Sequence, residues 1–161
     1  MKTEIKWGLI ISTMIFLWVL MEFLLGFHTT RIELHPIITW FSLCIPIIGL
    51  IVALKEKREK DLGGTMSYIQ ALKSGFLISL VCGIMNIVWQ GIYWTLVNPG
   101  YGETLVQHAR EKLGEEAAKD AEQYANMNSY MVQSFVGALI GGLIISAIVG
   151  IFVKRGASKH A

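Results

Sequence analysis

The sequence predicts an all-α, polytopic membrane protein: a bundle of four transmembrane helices with an outward helical segment between the third and fourth spans. Apolar residues make up 53% of the 161 residues and charged residues only 16%, whereas a soluble domain has about 25% charged residues. Four runs also approach or exceed the roughly 20 apolar residues that a helix needs to cross a bilayer. They are 7–27, 36–54, 70–97 and 130–153. A soluble fold, the less favoured alternative, would need four helices that are apolar on every face around one small core.

The first run, 7–27, follows Lys2 and Lys6, so a signal peptide is the alternative to a membrane span. It is longer than the 7 to 15 residues of a signal-peptide core, and it leads into Phe-His-Thr-Thr instead of a small-residue cleavage site. It also contains an ionisable residue, Glu22. We therefore expect a retained helix.

The second run pairs with the first. Only eight residues, 28–35, connect them, so the two helices should be antiparallel neighbours, and Pro36 suits the first turn of a helix. The loop that follows, 55–69, begins with a charged run that should extend the second helix into water before Gly63 and Gly64 end it. This run is either a solvated helix end or a specific site for an anionic lipid or a partner.

The third span begins and ends with local signals. Ser67 and Gln70 have the spacing of a capping box, in which each side chain satisfies a backbone donor of the first turn. The stretch Asn98-Pro99-Gly100 should end the helix. The outward segment, 101–129, then predicts two short helices separated by Gly114. With six acidic and three basic residues, this segment is either a helical cap on the bundle or membrane surface, or an acidic pad that recruits a cation or a periplasmic partner.

Charge sets the predicted orientation. Ten basic residues fall at the termini and around the loop 55–69, and four fall on the other side. The ten are Lys2, Lys6, Lys55, Lys57, Arg58, Lys60, Lys73, Lys154, Arg155 and Lys159. The positive-inside rule then places both termini in the cytoplasm and the segment 101–129 outside. Five aromatic residues should lie near the outer membrane boundary: Trp40, Tyr93, Trp94, Tyr101 and Tyr130.

Small residues recur every three or four positions on the third and fourth spans. Such stripes let helix backbones approach closely and gain packing contacts. The predicted helix-packing residues are Gly75, Ser79 and Gly83 on the third span, and Gly137, Ala138, Gly141, Gly142, Ser146 and Gly150 on the fourth. Either the two stripes meet inside one bundle, or they pair between protomers.

Polar residues in the spans predict where the bundle interior lies, because polar atoms in hydrocarbon need partners. We expect an intramembrane cluster in the outer half of the bundle, with His28, Arg31 or His35 above it. Its members are Glu22, Thr39, Asn86 and Gln90. In one interpretation Glu22 is protonated or paired near the surface and the amides are interhelical glue. In the other, the cluster is a proton or cation site, since ionisable residues within spans are costly and often functional.

The sequence contains few residues or motifs that would indicate a metal site, a cofactor or catalysis. His108 and Glu111 are too few ligands for a zinc site, and no nucleophile, acid/base or phosphate-binding motif occurs. We therefore predict no metal, no cofactor and no enzymatic activity. The formal net charge of +2 gives no reason to expect a nucleic-acid partner.

The order of features resembles a family of small bacterial membrane proteins known as DUF4199, a domain of unknown function. The resemblance covers essentially the full chain, and three stretches carry it: Lys57-Arg58, Gly63-Gly-Thr-Met-Ser-Tyr-Ile-Gln-Ala-Leu-Lys-Ser-Gly75, and Asn98-Pro-Gly-Tyr101. It implies four helices in the bacterial cytoplasmic membrane and assigns no functional residue.

These features together predict a multi-pass protein of a bacterial inner membrane that acts as a non-enzymatic interaction or assembly subunit. Its expected partners are the lipid bilayer and either a second copy of the chain or another membrane protein. The alternative is a small ion- or proton-coupled permeation protein that works as an oligomer through the polar cluster around Glu22.

Overall fold

The computed structural model describes residues 2–154; Met1 and residues 155–161, which include the predicted cytoplasmic Arg155 and Lys159, lie outside the described residues. The described chain forms six helices. They are α1 (Lys2–Leu24), α2 (Ile32–Asp61), α3 (Tyr68–Val97), α4 (Tyr101–Leu113), α5 (Glu115–Tyr124) and α6 (Met127–Val153). Helices α1, α2, α3 and α6 are long and apolar enough to cross a membrane. The predicted fold class is therefore confirmed, with α4 and α5 between the third and fourth spans.

Helix α1 ends at Leu24, three residues before its apolar run does. Gly26 has a φ of 83°, a left-handed conformation that glycine adopts at little cost. Its carbonyl accepts from the backbone N–H of Arg31 at 2.8 Å, and the N–H of Phe27 reaches back to the carbonyl of Glu22 at 2.9 Å. The chain therefore turns tightly, and residues 25–31 fold back over the end of α1.

The backbone hydrogen-bonding pattern of helix α2 changes along its length between α-helical, 3₁₀ and π turns. After a 3₁₀ turn at Ile32–Leu34, the regular α-helical part of α2 begins at His35, with Pro36 in the first turn of that part, as predicted. Residues Phe41–Leu43 form a 3₁₀ turn ahead of Pro46, because proline lacks the N–H that would bond to the carbonyl four residues earlier. The charged residues Lys57–Asp61 form a wide π turn, so the charged run does extend the helix. Gly63 and Gly64 follow with positive φ angles and end it.

Helix α3 has the predicted capping box. The Ser67 hydroxyl accepts from the backbone N–H of Gln70 at 3.2 Å, and the Gln70 side chain accepts from the N–H of Ser67 at 2.8 Å. At its other end the last turn, Tyr93–Val97, is a π turn. Its carbonyl at Tyr93 accepts from the N–H of Asn98 at 2.8 Å, which closes the helix where the sequence predicted.

The closest packing in the bundle is between α3 and α6. A methyl group added to Gly75 would collide with Ser146, and one added to Gly142 would collide with Ser79. A Cβ atom added to Gly150 would lie 3.3 Å from side-chain atoms of both Ala71 and Tyr68. A Cβ atom added to Gly83 would lie 3.0 Å from the Phe135 ring. The small residues at these positions thus face each other within one protomer.

Two glycines of the same stripe behave differently. A Cβ added to Gly137 or Gly141 would meet nothing within 4 Å. Together with the partly exposed Ala138, they line an apolar groove of about 180 Å³ between α2 and α6. The floor of the groove is formed by α1 and α3, including Ile11 and Ile78.

At the end of the bundle opposite α4 and α5, the charged residues pair with one another. Lys57 lies 2.8 Å from Glu4 and 2.8 Å from Asp61, and its side chain is only 13% exposed. Lys6 pairs with Glu56, and Arg58 donates to the carbonyl of Val153 at 2.9 Å. Much of the charged run is thus used to hold α1, α2 and α6 together and is not simply a solvated helix end.

Helices α4 and α5 form a hairpin, called the cap below. Gly114 joins them with a φ of 95°, as its predicted role as a helix stop requires. Ala118, on α5, is fully buried. Arg110, on α4, connects the two helices by pairing with Glu115 and Glu122 of α5. The cap is anchored to the bundle at its start, where Gly102 packs against Trp94.

Candidate polar site at the capped end of the bundle

Glu22 is the ionisable residue that the sequence places inside an apolar run, and its side chain is fully buried. It lies in the last turn of α1. The indole N–H of Trp18, one turn earlier on the same helix, donates to Oε1 at 2.7 Å. The other carboxylate oxygen, Oε2, has no hydrogen-bond partner among the described residues. Burying a carboxylate with one unsatisfied oxygen costs free energy unless neighbouring groups or a ligand compensate its charge.

Two histidines surround that oxygen. Nε2 of His28 lies 3.3 Å from Oε2, and Nε2 of His35 lies 3.9 Å from it. His28 is 2% exposed and comes from the turn that Gly26 creates, whereas His35 opens the regular part of α2 beside Pro36. The two imidazole rings meet edge to face, with centroids 4.6 Å apart. The turn between the first two spans thus brings three ligating side chains together.

A hydrogen-bonded chain orients His28. Its Nδ1 lies 2.5 Å from the hydroxyl of Tyr93 on α3, and that hydroxyl accepts from the side-chain amide of Asn98 at 3.2 Å. Tyr93 and Asn98 are both buried. Because Nδ1 is held by Tyr93, Nε2 points at Glu22. It has no hydrogen-bond partner of its own within the described chain.

Tyr101, the first residue of the cap, covers this group. It is 3% exposed, and its ring lies 4.9 Å from that of His28 and 6.4 Å from that of His35. It also contacts the rings of Tyr93 and Trp94 edge-on. Burial raises the pKa of Tyr101 well above its ordinary value, and nearby Tyr130 and Tyr93 add to the effect. Tyr101 is therefore a neutral phenol at physiological pH.

The residues enclose a cavity of about 160 Å³. Of the four predicted cluster residues, Glu22, Thr39 and Gln90 line it, together with both histidines. Asn86 does not line it; this residue is one turn deeper on α3 and borders the apolar groove instead. Arg31, which the sequence offered as a neighbour of Glu22, is exposed. The cavity is therefore built around Glu22 and two histidines, with one of the two predicted amides beside it.

Below the cavity the buried residues are mainly apolar, with Ser12, Ser79 and Ser146 buried among them. Leu50, Ile78 and Ile11 are at most 2% exposed and belong to one continuous core with Leu54 and Val153. This core fills the half of the protomer between the cavity and the charged end. The polar site is thus confined to the capped end.

A family model supplies the comparison with known proteins. The model described as "Protein of unknown function (DUF4199)" matches residues 6–155, which include all four spans, the cap and every residue of the polar site. The chain belongs to the DUF4199 family. No curated protein and no solved structure matches it. The fold and the family of this DUF4199 protein are thus shown, and its activity has to be argued from its own residues.

The sequence predicted Glu22, Thr39 and Gln90, with His28 or His35 above them, but not the two tyrosines that complete the site in this DUF4199 protein. Tyr93 and Tyr101, predicted to lie near the outer membrane boundary, are both buried around His28. Of the five predicted boundary aromatics, Trp40 is largely exposed, at 70%. The signal that could have found the site is Gly26, since a glycine just before His28 allows the turn that carries this histidine back to Glu22.

Proposed function

We propose that this DUF4199 protein is a non-enzymatic assembly subunit of a bacterial inner membrane, which associates with a second copy of itself. The excess of basic residues around the charged end supports a cytoplasmic location for both termini, with the cap outside. Its helices leave an apolar groove beside α6, and the occupant proposed for the exposed glycine face at its edge is a second copy of α6.

The observation that supports this is that the glycines of α6 differ in whether another helix covers them. Gly142 and Gly150 are covered by α3, whereas Gly137 and Gly141 face open space. A Gly-x-x-x-Gly pair lets two helix backbones approach closely within a bilayer. In a two-fold symmetric dimer the same patch meets itself, so a single uncovered Gly-x-x-x-Gly pair on α6 is sufficient for both partners.

Disulfide trapping in native membranes tests this arrangement. In a variant whose own free cysteines, Cys44 and Cys82, are replaced by serine and alanine, Gly141→Cys should cross-link readily between chains. Leu143→Cys is the matched control: it is 46% exposed but lies about 200° around the helix from Gly141. Equal cross-linking of the two variants would contradict a specific interface, and so would the absence of cross-linking in both.

The permeation alternative draws on one observation, the buried Glu22 between two histidines. It is less favoured, because the described core below the cavity is formed mainly by tightly packed apolar side chains. We expect liposomes containing the purified protein to leak protons, sodium and potassium no faster than empty liposomes. A leak that disappears in Glu22→Gln would favour permeation instead.

A further inference from the structure

We propose that Glu22, His28 and His35 bind a divalent transition-metal ion, with Zn²⁺ as the ion that their donor set suits best. This proposal concerns a different part of the molecule from the groove and does not depend on the assembly function. Two imidazoles and one carboxylate form a common zinc ligand set, in which the fourth position is left for water or another ligand.

The distances fit a metal site in which the His35 side chain moves inward on binding. The ligand atoms of the three side chains all lie within 4.8 Å of one another. Zinc bonds to nitrogen and oxygen are about 2.0 to 2.2 Å long, so ligand atoms in a tetrahedral site are separated by about 3.3 to 3.6 Å. The His28 to Glu22 separation is already 3.3 Å, whereas the His35 to Glu22 separation is 3.9 Å. Because the ligand atoms lie within 4.8 Å of one another, the widest pair would have to shorten by up to about 1.5 Å, which moves His35 toward the other two ligands.

The atoms that would bind the ion are those that the protein leaves unsatisfied. Oε2 of Glu22 and Nε2 of His28 are both buried and both lack a hydrogen-bond partner among the described residues. Each of the two side chains is at least 97% buried. Buried polar atoms in proteins are nearly always satisfied. These two atoms form no hydrogen bond in the described part of the chain and lie 3.3 Å apart, an ion-pair contact if His28 is protonated, so they are placed to bind one shared ion.

The atoms of Glu22 and His28 that would not bind the ion have hydrogen-bond partners of their own, as is usual for metal ligands. Metal-binding histidines donate their second ring N–H to a neighbouring acceptor, and the hydroxyl oxygen of Tyr93 lies 2.5 Å from Nδ1 of His28 in the place of that acceptor. Trp18 likewise binds Oε1 of Glu22 and leaves Oε2 for the ion. A divalent cation would also compensate the buried carboxylate charge, which is otherwise costly in a low-dielectric setting.

The cavity explains how an ion could be accommodated and shielded. Its volume of about 160 Å³ has room for an ion and one or two waters, each of which occupies about 30 Å³. Tyr101 at the start of the cap lies over both histidines. Its ring would therefore help to shield a bound ion on the side of the cap.

Titration of the full chain in lipid nanodiscs with Zn²⁺, after removal of bound metal by a chelator, tests the proposal. We expect saturation at one Zn²⁺ per chain. Loss of a ligand in His28→Ala or His35→Ala should abolish this binding. Tyr93→Phe should weaken it about 10- to 100-fold, as is usual for a residue that orients a ligand. His108→Ala and His160→Ala remove the two remaining histidines of the sequence and should leave the binding unchanged.

The visible absorption of bound Co²⁺ provides a second measurement, which would not change if His28 and His35 had only a structural role. Bound by these three side chains, Co²⁺ should show the intense visible absorption of a four-coordinate site, and His35→Ala should lose this absorption while circular dichroism shows an intact helical fold. Binding that persists in both histidine variants would overturn the proposal. A wild-type protein that takes up no Zn²⁺ would also overturn it, whether or not the infrared carboxyl band of Glu22 changes with pH.

Discussion

Gly142→Leu is expected to destabilise the folded protein by about 3 kcal/mol or more, at the upper end of what an overpacked core costs. Even a single methyl group at this position would collide with the Ser79 side chain on α3. Because Ser79 belongs to a rigid helix, the leucine can be accommodated only if α3 and α6 separate, and these are the two most closely packed helices of the bundle.

The unfolding free energy of this variant should be measured by denaturant titration in detergent, at a dilution that keeps the chain monomeric. Gly141→Leu is the matched control, since it adds the same side chain at the adjacent position, where a Cβ meets nothing within 4 Å. We expect the control to unfold like the parent. If the two variants were equally unstable, or equally stable, the packing of α3 against α6 would not be as described.

Tyr101→Ala is expected to cost about 3 kcal/mol, as truncation of a large buried side chain does, and to release the cap from the bundle. The Tyr101 ring is almost fully buried and contacts the rings of His28, Tyr93, Trp94 and Tyr130. Hydrogen exchange should therefore become much faster in residues 101–124, while the four spans remain protected.

Two controls accompany this variant. Tyr101→Phe keeps the ring and should retain most of the protection of the cap, and Tyr124→Ala removes a tyrosine that is 61% exposed and should have little effect. A cap that stays protected in Tyr101→Ala would show that other contacts, such as Gly102 on Trp94, hold it in place.

The parts of the fold that follow from local chemistry could be predicted from the sequence. The apolar runs predicted the four spans because a bilayer requires that length. Ser67 with Gln70, and Gly114, marked helix ends because each supplies a particular hydrogen bond or backbone conformation. None of these features depends on which helix lies beside which.

The parts that depend on tertiary arrangement could not be predicted. Gly137 and Gly142 belong to the same small-residue pattern, yet one faces open space and the other faces Ser79, because the crossing of α3 and α6 decides which side is covered. In the site, Glu22 was identified as a costly ion in an apolar run. His28, His35 and Arg31 were alternatives for the position above it. That both histidines and Tyr101 surround it, and Arg31 does not, depends on the turn at Gly26 and on how the cap folds back, which periodicity does not encode.

The central claim, that this DUF4199 protein assembles through the uncovered face of α6, is tested most directly by counting subunits. Singly labelled protein in liposomes, at a low ratio of protein to lipid, should photobleach mainly in two steps per particle. Gly141→Leu, which blocks close approach without disturbing the protomer, should photobleach in one step. Single-step bleaching of the parent protein, or two-step bleaching that Gly141→Leu leaves unchanged, would contradict the proposal.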